Sequence, residues 1–271
     1  MGRIKIFWYT DTHLDLCFPW SKNKFIKHIN KEKPNGIFLT GDISNGKNTP
    51  KDLEFLASNI ECPIYFVLGN HDFHFSSIKD IYDSIRALCI KYNNLIWMTD
   101  SSPQYINNNS TAIIGTEGWY DAMVGNPFYI RFTFDWFQIK EFSAMSSMNE
   151  RIEGFRELAS KSCEIIEKQL LKVCNNSEVK TIYLLTHFPC WVEATRDVGT
   201  LMEKFWLPYN TNLRLGKLIE KIMKKYPAKQ LIVLSGHIHD DAWIHVSNNI
   251  ECKVNKAKYL GTPRNEEYIF I

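Results

Sequence analysis

The sequence has little of what marks several broad classes of protein. No apolar run approaches the length of a transmembrane helix, and residues 1–8 are too short for the apolar region of a signal peptide. The formal net charge is only +2 at pH 7 and basic residues do not cluster, which argues against a dedicated nucleic-acid binder. Repeats and low-complexity linkers are also missing. We therefore expect a globular chain with no membrane segment and no strong nucleic-acid patch.

The cysteines are neither even in number nor spaced for metal binding. There are seven, and no C-x-x-C pair occurs. This argues against a disulfide framework and against a thiolate zinc site. A reducing compartment is the simpler interpretation, and we predict a cytoplasmic protein. The oligomeric state is left open.

Short apolar runs alternate with amphipathic stretches, and hairpin patterns follow them. The apolar runs predict strands at residues 4–8, 36–40, 64–67, 95–98, 104–106, 111–114, 179–185, 230–234, 241–246, 251–254 and 268–271. Helical patterns predict helices at residues 21–33, from 49 onward, at 77–92, 147–174 and 213–226, with a loop at 188–208. Thr49, Pro50 and Asp52 form a capping-box pattern. This order predicts an α/β fold with mixed sheets, and we assign residues 1–271 to a single domain.

Residues 117–146 interrupt this order and form an aromatic-rich insertion, which precedes the predicted long helix. Between Trp119 and Phe142, nine of 24 residues are aromatic, against 14% for the chain. One interpretation is a lid over a site, in which Trp119 and Tyr120 stack on a substrate base. The other is that these rings pack together or against another subunit. Both interpretations stay open at this point.

Polar residues follow five of the predicted strands. The run Gly69-Asn70-His71-Asp72 follows the strand at 64–67 and presents an amide, an imidazole and a carboxylate together. Ligands bind beyond the carboxyl ends of strands in open α/β sheets, although an ordinary loop is the alternative. The polar groups at the five ends are Asp11 and His13, Asp42, Asn70 with His71, His187, and His237 with His239.

This set of side chains suits borderline divalent metals such as manganese, iron or zinc. It contains too many ligands for one tetrahedral ion. Two ions about 3.5–4 Å apart that share a bridging carboxylate would use them all. We therefore predict a centre with two divalent metal ions.

The ordered motifs resemble those of the calcineurin-like metallophosphoesterase superfamily. They are Asp-Thr-His at 11–13, Gly-Asp at 41–42, Gly-Asn-His-Asp at 69–72, a lone His187, and Gly-His-Ile-His at 236–239. The resemblance implies a four-layer α/β/β/α sandwich and hydrolysis of a phosphate ester. It also implies the metal ligands, which are Asp11, His13 and His239 for one ion, Asn70, His187 and His237 for the other, and Asp42 for both.

By the same resemblance, His71 contacts the substrate phosphate and protonates the leaving oxygen. Two cations would neutralise phosphate oxygens and lower the pKa of a bridging water, and an imidazole can supply the proton near neutral pH. Asp72 could hold the tautomer of a ligating histidine or simply be solvated, and we favour the first interpretation.

One departure from the motif of the family's protein-phosphatase branch narrows the predicted substrate class. That branch carries G-D-x-x-D-R-G, whereas Asn45 and Gly46 stand here at the second Asp and the Arg. Protein phosphatase activity is therefore in doubt, and Asn45 is a candidate substrate contact. We predict a phosphodiesterase or nucleotide hydrolase. The alternatives are a phosphomonoesterase or protein phosphatase, and a non-catalytic scaffold subunit of the same fold.

Overall fold

Two mixed β-sheets lie face to face in the computed structural model of the protein, which describes residues 3–195, 201–257, 263 and 267–271. The first sheet contains, in spatial order, β11 (Glu267–Phe270), β1 (Lys5–Tyr9), β2 (Gly36–Thr40), β3 (Ile64–Val67) and β4 (Leu95–Trp97). The second contains β5 (Gln104–Ile106), β6 (Thr111–Gly115), β7 (Thr181–Leu185), β8 (Gln230–Ser235), β10 (Ile250–Val254) and β9 (Ala242–Ser247).

Parallel strands form the middle of each sheet. In the first sheet β1 to β4 run parallel, and β11 pairs antiparallel with β1. In the second sheet β6, β7, β8 and β10 run parallel, while β5 and β9 are antiparallel edges. The prediction of mixed sheets is confirmed. Because the parallel strands within each sheet share a direction, the loops that follow them lie at the same edge.

Several of the longer helices begin where the sequence offers a capping group or an early proline. Their bounds are α1 (Pro19–Glu32), α2 (Thr49–Asn59), α3 (Ile78–Lys91), α4 (Asp135–Gln138), α5 (Lys140–Ser143), α6 (Met148–Cys174), α7 (Leu201–Asn210) and α8 (Leu213–Met223). Proline occupies the first turn of α1. Ser147 and Glu150 form a reciprocal capping box before α6, the predicted long helix.

Three apolar cores show that the protein has four layers. Between the sheets, side chains such as Trp8, Phe38 and Leu234 are buried together. The other face of the first sheet is covered by α1, α2 and α3, and that of the second by α6 and α8. The predicted α/β/β/α sandwich is therefore observed. Among the described residues, no helix combines the length and apolar character needed to cross a bilayer.

Two local predictions are wrong. The segment expected to be a loop at 188–208 contains most of α7, which continues through Pro208, although residues 196–200 lie outside the described part of the chain. The capping box at Thr49 does not form, since the cap position of α2 is Asn48 and its side chain makes no capping bond. Tertiary contacts of Thr49, described below, replace the predicted local one.

Candidate active site

The site lies in the loops that follow the parallel strands of both sheets. Its backbone is unusual, because several residues other than glycine have positive φ angles. This conformation costs free energy for such residues and is concentrated at functional sites. The residues concerned are Asp11 (φ 48°), His13 (40°), Asp42 (49°), His237 (72°) and His239 (58°).

Three glycines allow the loops to approach each other closely. A Cβ atom built on Gly41 would lie 2.5 Å from His187 Nδ1, which is inside van der Waals contact. Cβ atoms on Gly69 and Gly236 would each overlap a carboxylate oxygen of an aspartate that follows another strand. The glycines therefore make room for site residues of neighbouring loops, beyond any role in turning the chain. The pairs are Gly41 with His187, Gly69 with Asp42, and Gly236 with Asp11.

One group of potential ligands converges beside β1. Asp11, His13, Asp42 and His239 each offer an atom within 4.8 Å of the others. The Nε2 atoms of His13 and His239 are 3.4 Å apart, and His239 Nε2 lies 3.2 Å from Asp11 Oδ1. Two imidazole nitrogens and two carboxylates that face one point form a donor set suited to a divalent cation.

A second group lies on the other side of Asp42. His187 Nε2 is 3.1 Å from Asn70 Oδ1, and the ring of His237 is centred 5.2 Å from that of His187. Asp42 faces both groups: its Oδ1 lies 3.4 Å from His187 Nε2, and its Oδ2 lies 4.0 Å from His13 Nε2. All seven ligand residues predicted from the sequence are therefore brought together, with Asp42 between the two groups.

The charges at the site also fit a cation centre. Burial lowers the pKa of His13 to about 4 and that of His237 to about 3, so both rings are neutral, the form in which an imidazole nitrogen can bind a metal. Burial alone would lower the pKa of His187, but the Asp42 carboxylate raises that pKa to about 9. Burial would raise the pKa of Asp42, but His187 and His71 outweigh it and hold that pKa well below its usual range. A divalent cation would replace the proton that this pair retains.

His71 lies at the accessible side of the site. Its side chain is 27% exposed, and its Nε2 lies 3.9 Å from Asp42 Oδ2. Its backbone N–H donates to Asp42 Oδ1 at 2.9 Å, which ties the residue to the centre of the site. The ring is thus free to meet a molecule that approaches from solvent.

Asp72 connects the loops that follow β2 and β3. Its buried carboxylate accepts hydrogen bonds from the backbone N–H groups of Gly69, Ile43 and Ser44 at 2.8, 3.2 and 2.9 Å. It also accepts one from the Thr49 hydroxyl at 2.8 Å, so that hydroxyl is not available to cap α2. Burial, together with the Asp42 charge, raises the pKa of Asp72 to about 7. Asp72 thus supports the site by holding backbone amides, not a histidine tautomer as we had predicted.

Asn45 and Gly46 follow Asp42 in the same loop. Asn45 is partly exposed, and its Oδ1 accepts a hydrogen bond from Asn48 Nδ2 at 2.9 Å. Gly46 has a φ of 27°, and a Cβ there would overlap the backbone carbonyl oxygen of His74. This backbone has no room for the arginine of the protein-phosphatase motif.

The two aromatic residues predicted to contact a substrate base are buried. Trp119 is 1% exposed and Tyr120 is 0% exposed. The Trp119 ring packs against those of Phe73 and Phe188, with centroids 5.4 and 5.6 Å apart, and Tyr120 packs against Phe155 at 4.6 Å. Neither ring has a free face, so the stacking prediction is wrong for this structure and the packing alternative is favoured. The rings have these neighbours because α6 and the loop after β7 close over them.

Sequence reasoning missed residues that surround Asn70. Asn70 Nδ2 donates to Asp135 Oδ1 and to the Tyr209 hydroxyl, each at 2.9 Å. His74, which fits no position of the motif, has its Nε2 2.6 Å from the same Asp135 oxygen. Only its spacing from His71, one turn along the chain, could have suggested His74. No local pattern marks Asp135, which is 65 residues from Asn70 in sequence.

Comparisons with known proteins agree with this geometry. The family model described as calcineurin-like phosphoesterase matches residues 4–241. A phosphopantetheinyl hydrolase from Mycobacterium tuberculosis superposes with a TM-score of 0.64 at 11% identity, over 92% of this chain and 88% of that one. A dimetal phosphatase from Danio rerio superposes with a TM-score of 0.56 at 9% identity, over 94% and 88%. At such identities the likeness concerns the fold alone. The search of curated proteins found no match.

Proposed function

The chain belongs to the calcineurin-like phosphoesterase family, and on that premise we propose that it is a phosphoesterase dependent on two divalent metal ions. The observation that carries the proposal is the position of Asp42 between two groups of ligand side chains. One ion would be held by Asp11, His13 and His239, the other by Asn70, His187 and His237, and Asp42 would serve both. Manganese, iron and zinc all suit these donors.

Bound ions would supply charge neutralisation of the phosphate and a water of lowered pKa. The side chains of the protein have separate tasks. Asn70 contributes an oxygen without adding negative charge, which limits repulsion of an anionic substrate. His71 is accessible and is tied to Asp42 through its backbone, so we assign it the transfer of a proton from its ring to the leaving oxygen.

For the substrate, we propose a small phosphodiester or a nucleotide in preference to a phosphoprotein. The overlap that any side chain at Gly46 would make with the His74 carbonyl supports this preference. The protein-phosphatase branch uses an arginine at this position, and the backbone here leaves no space for one. Asn45 stands beside it at the partly exposed end of the same loop and is proposed as a substrate contact.

We also propose a compartment and a domain organisation. None of the seven cysteines, all of which lie in the described part of the chain, forms a disulfide, which supports a reducing, cytoplasmic location. We also propose that residues 1–271 form one domain. Residues 117–146 would then form an insertion whose inner side reaches the site through Asp135.

The test is hydrolysis of bis-p-nitrophenyl phosphate and of p-nitrophenyl phosphate by the metal-free protein after addition of Mn²⁺, Fe²⁺ or Zn²⁺. We expect hydrolysis with at least one metal and a faster rate on the diester. Asp42→Ala should lose both metal and activity, because the residue serves both groups. A folded protein that binds two ions but cleaves neither ester would contradict an enzymatic function and favour a scaffold. Faster cleavage of the monoester would contradict the substrate preference alone.

A further inference from the structure

A buried carboxylate from the insertion reaches the proposed metal centre. Asp135 begins α4 and is 0% exposed. Its Oδ1 accepts a hydrogen bond from Asn70 Nδ2 at 2.9 Å and lies 2.6 Å from His74 Nε2. Its Oδ2 lies 3.4 Å from the Tyr120 hydroxyl. A fully buried carboxylate is costly unless it is well paired, so these contacts are the reason that it can reside here.

The contacts of Asn70 fix which end of its amide faces the ligands. Nδ2 has two protons, and the two acceptors Asp135 Oδ1 and Tyr209 Oη, each at 2.9 Å, use both. The Oδ1 end then faces His187 Nε2 at 3.1 Å. If the amide were reversed, its oxygen would lie against a carboxylate oxygen in a buried site, where repulsion is poorly screened. Asp135 therefore determines the amide orientation that a metal ligand needs.

The same carboxylate also holds a ring beside the proposed general acid. His74 is buried with its Nε2 at Asp135. Its ring is centred 4.4 Å from that of His71, at an angle of 40°. The buried ring forms a wall that limits where the accessible His71 ring can turn.

We infer that Asp135 is a positioning residue, which presents Asn70 Oδ1 to the metal centre and fixes the His74 ring against His71. This inference rests on the proposed function, because it takes Asn70 as a metal ligand. The insertion thus contributes to the site through one carboxylate, while its aromatic rings Trp119 and Tyr120 form core.

The first test measures Mn²⁺ affinity of the metal-free full chain by calorimetry, with electron paramagnetic resonance to count bound ions. Asp135→Ala should weaken the binding of one of the two ions, the one that Asn70 would hold, by about 10–100-fold, the usual effect of removing a residue that orients a ligand. Asp135→Asn keeps an oxygen that can accept the hydrogen bond from Asn70, so this variant should lose less Mn²⁺ affinity than Asp135→Ala. The matched control is Asp121→Asn, since Asp121 is a buried acid of the same insertion whose carboxylate accepts hydrogen bonds from the backbone N–H groups of Met123 and Arg214.

The outcomes separate this inference from the proposed function. An Asp135→Ala variant that is folded by circular dichroism and binds Mn²⁺ within twofold of wild type would overturn the inference alone. An equal loss of Mn²⁺ affinity in the Asp121→Asn control would also overturn the inference alone. Wild-type protein that binds no ion would overturn the proposed function and this inference together. With a p-nitrophenyl diester, the loss should appear in kcat at saturating Mn²⁺ with little change in KM, since Asp135 is fully buried and offers no surface to a substrate.

A second test needs no metal and does not depend on the alanine variant folding. Asn70→Asp places two carboxylates against each other and should lower the Tm of the metal-free protein. Adding Asp135→Asn restores a hydrogen bond with donor and acceptor exchanged, so the double variant should recover most of the Tm lost in Asn70→Asp. Such strong non-additivity marks a direct interaction. Additive changes in Tm would refute the assigned contact.

Discussion

Replacing Gly69 by alanine offers a direct test of how the site is assembled. The added methyl carbon would lie less than 3.0 Å from the Asp42 carboxylate, the Asp42 backbone nitrogen and His187 Cε1. Rotation of a side chain can relieve the first contact but not the second, because the backbone nitrogen is fixed by the loop. The loop after β3 must therefore move away from the loop after β2, and Asp42 must move from its place between the two ligand groups.

The magnitude follows from the overlap and from the unfolded chain. Forcing one extra carbon into a packed site costs about 1–3 kcal/mol. The lower entropy of the unfolded alanine chain returns about 0.4–1 kcal/mol. The net loss of roughly 0–2.5 kcal/mol corresponds to a fall in Tm of up to about 10 °C, at about 2–4 °C per kcal/mol. Because Asp42 would serve both ions, we expect metal affinity to fall by about 10–100-fold as well.

The assay compares Gly69→Ala with Gly36→Ala in thermal unfolding and in Mn²⁺ titration. Gly36 begins β2, away from the site, and a Cβ there would lie 3.1 Å from the movable end of the Ile6 side chain, with Tyr65 Cε2 and the Pro63 carbonyl oxygen at ordinary contact distances of 3.4 and 3.5 Å. The control should keep wild-type metal affinity and change Tm by about 2 °C or less. If Gly69→Ala matched this control in both measurements, close approach of the two loops would not be the reason that glycine is needed at position 69.

Three further predictions concern separate parts of the protein. His71→Ala should keep its metal content and lose about 10²–10⁴-fold in turnover. The loss should be smaller for p-nitrophenyl esters than for alkyl esters, because a good leaving group needs no proton. Equal losses on both kinds of ester would show that His71 is not the general acid. Burial raises the pKa of Glu117, so the native state retains its proton to higher pH and the contribution of Glu117 to the free energy of unfolding falls as pH rises from 4.5. Glu117→Gln should remove that fall in a series of Tm values against pH, and an unchanged slope would contradict it. Ser147→Ala should cost about 1 kcal/mol in denaturant unfolding through loss of the capping box before α6, whereas an unchanged midpoint would show that tertiary contacts alone hold that helix end.

The metal-ligand candidates could be found from the sequence because their signal is local. Each follows an apolar run, and the ends of parallel strands meet at one edge of a sheet. Strand patterns of period two and helix patterns of period 3.6 are likewise local, which is why most element bounds agree within a few residues. The short helices α4 and α5 and the longer α7 escaped prediction; α7 has Pro208 inside it, and proline in a pattern usually marks a helix end.

Other features depend on which residues meet across the chain. The Thr49 hydroxyl could cap α2, but Asp72 is close enough to take it instead. Aromatic composition alone could not show whether Trp119 and Tyr120 face a substrate, because their exposure depends on α6 and on Phe188. The positive φ angles at Asp11 and Asp42 follow from loop contacts, since such residues adopt them only when their surroundings compensate.

The sequence by itself determined the two-sheet fold, the order of its elements and the types of side chain at the strand ends. Only the tertiary structure decided that Asp42 lies between two ligand groups and that Gly69 makes room for it. It alone brought Asp135 from the insertion to Asn70, across 65 positions of the chain. Patterns of apolar and polar residues report interactions over one or two turns, whereas a buried hydrogen bond between distant segments exists only after the layers have packed.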